Sequence, residues 1–175
     1  MSTKKMLMIA ISIAIIFTQE QLLMFLPNIQ FTVLLIIVFT SVYSFKETMI
    51  LITGYVFLDS MYMGGLNPFF VTPMLIAWYL IPISYHTILR KTNNEIALSI
   101  FAFVFGIVYG LIFIPFQMIQ FGVTTLWPYL LNDIPFELIM AFTGTLTVLW
   151  MYKPLYNLLN NIVNQNQALV HKSYK

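Results

Sequence analysis

The chain is a succession of apolar runs, most close to the length of a bilayer crossing, separated by short polar turns. That pattern leaves few folds open. Inside a bilayer every backbone N–H and C=O must be satisfied by the protein, so a spanning segment is either an α-helix or a strand of a closed barrel. The runs lack the period-two alternation of barrel strands, which leaves helices. Charged residues make up only 8% of the 175 positions, against about 25% in a soluble domain. At about 20 residues per span, there is room for roughly six helices. They are expected over 6–25, 29–43, 48–63, 70–89, 95–116 and 135–156, with a polar tail over 157–175 and no separate soluble domain. The first run follows Lys4 and Lys5, as a secretory signal would. It stays apolar as far as Phe25 with no small-residue cleavage site, so it reads as a retained helix. The absence of cysteine excludes disulfide and thiolate chemistry.

The placement of the cations orients these helices. With six spans and a cytoplasmic N-terminus, Lys4, Lys5, Lys46, Arg90, Lys91, Lys153, Lys172 and Lys175 all fall on the cytoplasmic side. That is every Lys and Arg in the chain, as the positive-inside rule requires, and five or seven spans would break the segregation. The expected fold class is an all-α membrane protein with six transmembrane helices and both termini cytoplasmic. The carboxylates divide differently. Glu47 and Glu95 lie beside the inner basic turns, where pairing or capping accounts for them. Glu20, Asp59, Asp133 and Glu137 lie in the outer third, near Asn28, Gln30, Asn67, Gln117 and Asn132. The outer half is thus polar, aromatic and free of cations.

Several stretches stand out against this background. Asp59 to Phe70 interrupts the apolar pattern with a carboxylate, an amide, two glycines, a proline and aromatic rings that include Tyr62. It reads as an outer turn and as one wall of a small-molecule site, since polar breaks at membrane depth sit at an interface or line a cavity. Trp78 lies deep enough to serve as a ligand's stacking floor, Tyr109 reads either as floor or as interfacial belt, and Trp127 reads more readily as a belt residue. Asn132 and Asp133 read first as a cap on the sixth helix, and Asn93 or Asn94 as a cap on the fifth. Ala10 and Ala14 place small residues four apart on the first helix, a spacing that lets another helix approach closely. Gly106 and Gly110 repeat that spacing on the fifth helix, where packing inside the bundle is the favoured reading. There is no HExxH helix, GxSxG elbow or phosphate-binding loop. No basic, aromatic-interleaved patch suggests nucleic acid, and His86 and His171 are too far apart in the chain to make a metal site.

In size, span number, sidedness and the Ala10/Ala14 pair after a short basic N-terminus, the whole chain resembles the substrate-binding S component of an energy-coupling factor (ECF) transporter. These are ABC-type vitamin importers of prokaryotic cytoplasmic membranes. The stretches EQLLMFLPNIQ (20–30), DSMYMGGLNPFF (59–70) and WYLIP (78–82) add to the likeness. The resemblance implies a binding subunit without enzymatic activity or cofactor. Its AxxxA helix would dock on a transmembrane T subunit, two ATPase subunits would supply energy, and the subunit would topple in the membrane to carry substrate inward. It places the site on the outer side, closed by loops that map here to Leu26–Gln30, Gly64–Phe70 and Phe121–Asp133. The expected substrate-binding residues are Glu20, Asn28, Gln30, Asp59, Tyr62 and Asn67, together with Trp78, Tyr109, Gln117, Trp127 and Asn132. Without an outer Lys or Arg, a ligand bearing free carboxylates or phosphate lacks its usual partner. A neutral or cationic ring system suits the residues better: riboflavin, thiamine, a pyridoxine form or, preferred on resemblance, cobalamin. Two other classes compete. One is a small membrane enzyme using Glu20 and Asp59. The other is a structural or ion-conducting homo-oligomer built on Gly106 and Gly110.

Overall fold

The computed structural model describes residues 3–122 and 126–173, with 129 and 164–173 as backbone only. Six α-helices follow one another: α1 (Thr3–Leu23), α2 (Thr32–Val42), α3 (Phe45–Tyr62), α4 (Pro68–Thr87), α5 (Glu95–Phe121) and α6 (Leu126–Ser173). No strand occurs among the described residues. Four helices are long and apolar enough to cross a membrane: α1, α4, α5 and α6 over Leu126–Val163. Large apolar side chains such as Met6, Ile11, Ile100 and Trp150 stand exposed around the outside, a surface compatible with lipid.

The helix ends follow local chemistry. Ser44 caps α3 in a reciprocal capping box, accepting from the Glu47 amide at 3.4 Å while its own N–H donates to Glu47 Oε2 at 3.0 Å. Beyond α3 the chain reverses through Gly64 and Gly65, at φ 118° and 122°, a region that favours glycine. Asn67 caps α4 ahead of Pro68, whose missing N–H costs nothing at the first helical position. Asn94 caps α5, as expected, by accepting from the Ile96 and Ala97 amides.

Two expectations are corrected. The connection placed over 117–133 is mostly helical: α5 continues across Pro115 to Phe121, and α6 already begins at Leu126. Asn132 and Asp133 therefore lie inside α6 and cap nothing. Pro128 falls in the first turn, where backbone amides have no intrahelical partner, so it is no obstacle to an early start. At the other end the backbone of α6 continues through the polar segment to Ser173.

The shortest helix lies deepest. α2 has 11 residues, about 16 Å of rise, less than the ~30 Å of a bilayer core. Thr32–Leu34 and Ile36–Thr40 are all buried, and α2 touches every other helix. A helix apolar all round is a core helix. α1 is the opposite case: Ile9, Ser12 and Ile16 face inward, while Ala10, Ala14, Ile11 and Ile15 are exposed. The tightest seam runs between α5 and α6. A Cβ added to Gly106 would lie 2.6 Å from the Ala141 Cα, and one on Gly110 would collide with the Glu137 side chain. The Gly106/Gly110 face is thus occupied within the chain, which withdraws it from the homo-oligomer reading.

Candidate functional site

The bundle has two distinct ends. At one, Lys5 pairs with Glu47 at 2.7 Å and Lys153 with Glu95 at 2.6 Å. The rings of Phe45 and His86 meet there at 5.4 Å, bringing the start of α3 to the end of α4. Asn93 ties the turn after α4 to α6. Its Oδ1 accepts from Tyr85 and Tyr152, and its amide donates to Tyr156. The turn itself holds Arg90 and Lys91 at positive φ.

At the other end lies a cavity of about 260 Å³. Its walls come from the last turns of α1 and α3, the α1–α2 loop, the start of α4 and the middle of α5. Glu20 and Gln21 face it from α1, Asp59 and Met63 from the end of α3, Phe70 and Met74 from α4, and Tyr109 from α5. Asn28 and Gln30 line it from the loop. Asn28 takes a left-handed conformation, φ 58°, and its amide donates to the Phe136 carbonyl at 2.8 Å, pinning the loop to α6. Gln19 secures the other side of the loop. It accepts from the Phe31 amide at 2.9 Å and donates to Thr32 Oγ1 at 2.7 Å, while the Thr32 hydroxyl donates to Gln30 Oε1 at 3.0 Å. Gln19 thereby satisfies an amide at the start of α2, which has no side-chain cap of its own.

The carboxylates of this cavity are held by neutral donors. The Tyr55 hydroxyl donates to Glu20 Oε2, and the Gln21 amide donates to Asp59 Oδ1 at 3.2 Å. Among the described residues no Lys or Arg lines the cavity. Both ion pairs among the described residues belong to the opposite end. Behind the wall, aromatic rings form a connected layer: Tyr55 to Trp78 at 6.1 Å, Trp78 to Tyr109 at 5.1 Å, Tyr109 to Phe113 at 4.9 Å and Phe113 to Phe70 at 5.7 Å. Three buried polar atoms among the described residues have no hydrogen-bond partner: Gln21 Oε1, Ser60 Oγ and Trp78 Nε1. All three belong to the cavity wall, to the residue following Asp59, or to the ring layer behind. Buried polar groups are normally paired, and Gln21 Oε1, the one of the three whose residue lines the cavity, is an acceptor left open in its wall.

Of the residues expected from the sequence, Glu20, Asn28, Gln30, Asp59 and Tyr109 meet at this cavity. The others do not line it. Trp78 is fully buried one layer behind, packed on Tyr109, and supports the site without forming its floor. Tyr62 is 58% exposed and stands edge-on to Phe17. Asn67 spends its side-chain oxygen on the Phe69 amide at 3.0 Å. Gln117 lies two turns beyond Tyr109 on α5, and Trp127 and Asn132 are exposed on α6. The early start of α6 is the reason for these last two: with 126–133 helical, their side chains do not fold over the cavity as loop residues would. Part of the loop expected to close the site, 123–125, lies outside the described residues.

Gln21, Met24 and Met74 also line the cavity without having been expected as binding residues, while Met63 and Phe70 belong to the Asp59–Phe70 stretch read as one of its walls. Gln21 carried a signal, as the neighbour of Glu20 in the polar patch Thr18–Gln21. Met24 and Met74 carried none, because an apolar residue in an apolar chain is silent.

A second hollow, of about 310 Å³, opens between α5 and α6 beside Asp133 and Glu137. It is apolar apart from these acids, and Glu137 receives the Gly110 N–H at 3.1 Å. No group of three or more His, Cys, Asp or Glu among the described residues could hold a metal ion. No protein-family model, curated protein or solved structure matches this chain.

Proposed function

We propose that this chain is the substrate-binding S component of an ECF-type importer, a six-helix membrane bundle with both termini cytoplasmic and the cavity opening outward across the cell membrane. One observation carries the reading. A polar, ring-backed cavity occupies the end of the bundle opposite all the described cations. Under the positive-inside rule such a cavity faces the outside, where an importer must capture its substrate. The exposed Ala10 and Ala14 on the least embedded helix supply the docking face for a T subunit, and two ATPase subunits provide the energy. The cavity volume sits near the lower bound of ~300–1,000 Å³ for small-molecule sites. It suits a ligand of one or two rings, such as a pyridoxine form or thiamine, and is far smaller than the cobalamin macrocycle.

Co-expression with a T subunit and two ATPases tests the assignment. The wild-type chain is expected to co-purify with them, and Ala10→Trp and Ala14→Trp to abolish assembly while the isolated variants remain monodisperse. Normal assembly of both bulky variants removes the docking claim.

A further inference from the structure

We infer that the cavity takes a cationic nitrogen heterocycle, a quaternised or protonated aromatic ring; the inference deepens the binding reading above and rests on it. The argument is one of charge. Asp59 is only 5% exposed, and Glu20 is partly buried beside it. A buried carboxylate is costly unless it is paired, and more so at membrane depth. Their described partners, the Tyr55 hydroxyl and the Gln21 amide, are neutral, and each occupies one carboxylate oxygen. The described cations that could have neutralised them are engaged or placed at the far end of the bundle, and none of them lines the cavity. A positively charged ligand completes what the chain leaves open, whereas an anionic one would meet two acidic groups with no cation lining the cavity among the described residues.

The walls decide which kind of cation. A hard inorganic ion seeks a shell of oxygen ligands, yet the Glu20–Asp59 pair is not part of any larger metal-ligating group among the described residues. The remaining wall is soft instead: the Tyr109 and Phe70 rings and the thioethers of Met24, Met63 and Met74. Aromatic faces attract cations, and methionines adapt to a flat ring. Asn28 and Gln30 add amides that can reach ring substituents.

Matched probes that differ in charge provide the test. Nicotinamide is compared with the permanent cation 1-methylnicotinamide, and neutral thiochrome with cationic thiamine, by calorimetry on the purified full chain in nanodiscs. The cationic member of each pair is expected to bind at least about tenfold more tightly. In the Glu20→Gln/Asp59→Asn double variant that ratio falls toward one. If the double variant does not fold, the wild-type ratios decide alone. Equal or tighter binding of the neutral members overturns the inference, and so does failure of all four probes to bind. Displacement of 1-methylnicotinamide by millimolar sodium, under conditions where an N-methylglucamine salt does not displace it, assigns the carboxylates to an inorganic ion and also overturns it. The two readings fail separately. Neutral probes bound without charge preference sink the cation and leave the carrier. Intact preference in a chain that never assembles with a T subunit sinks the carrier and leaves the cation.

Discussion

The two ends of this bundle handle charge in opposite ways. At the basic end each described carboxylate has a cation: Glu47 has Lys5 and Glu95 has Lys153, and Glu47 closes a capping box as well. Asn93 satisfies three tyrosine hydroxyls around it. At the cavity end, the described partners of Glu20 and Asp59 are neutral donors, and Gln21 Oε1 in the wall stays unpaired. One end is electrostatically complete by itself, and the other is complete only with something added. Such incompleteness is more informative about function than burial or hydropathy, because folding alone gives no reason to keep it.

Three substitutions break or sharpen that contrast. The largest effect is expected at the seam shared by both ends. Gly106→Leu drives a side chain into the Ala141 backbone, which cannot move aside, and should cost about 3 kcal/mol or prevent folding. Thermal unfolding in detergent is expected to show both ends failing together. Survival of the basic-end packing without α5–α6 contact would show that the ends are independent. Tyr55→Phe comes next. It removes the hydroxyl that donates to Glu20 inside the core, with an expected loss of about 1–3 kcal/mol. An unchanged melting temperature would mean that Glu20 draws little from Tyr55, weakening the case that its charge is confined. The smallest effect is Lys5→Ala. Its exposed pair with Glu47 should contribute no more than about 1 kcal/mol, and added salt should mask the change. A loss at Lys5 matching that at Tyr55 would erase the asymmetry between the ends.

Much of the helical pattern was legible before any coordinates. The cap on α5 was read as Asn93 or Asn94 and is Asn94, a local feature, because an oxygen two or three residues ahead of an amide needs no tertiary partner. The caps at Ser44 and Asn67 are as local but were read as a turn and as a binding residue. The long connection before α6 was misread for an equally local reason. Pro128, Asn132, Asp133 and Pro135 are all turn-forming residues, and together they outweigh helical propensity on paper. In the folded chain α6 lies along α5 through Gly106–Ala141 and Gly110–Glu137, and that contact, invisible to propensity, is available to hold the helix through its proline. The site was legible to the extent that it is polar. Glu20, Asn28, Gln30 and Asp59 stood out because each is expensive in an apolar segment. Asn67 stood out equally and turned out to serve the backbone.

From the residues alone came the helical class, the apolar surface and the grouping of cations, since these depend on composition and on order along the chain. Only the folded arrangement decided that α2, too short to cross a bilayer straight, is the buried centre, and that Trp78 stands behind Tyr109 instead of beside a ligand. It alone brought Gln21 from α1 to Asp59 on α3. The physical reason is the same in each case. Hydropathy reports what a side chain avoids, and does not report which neighbour a helix face will meet.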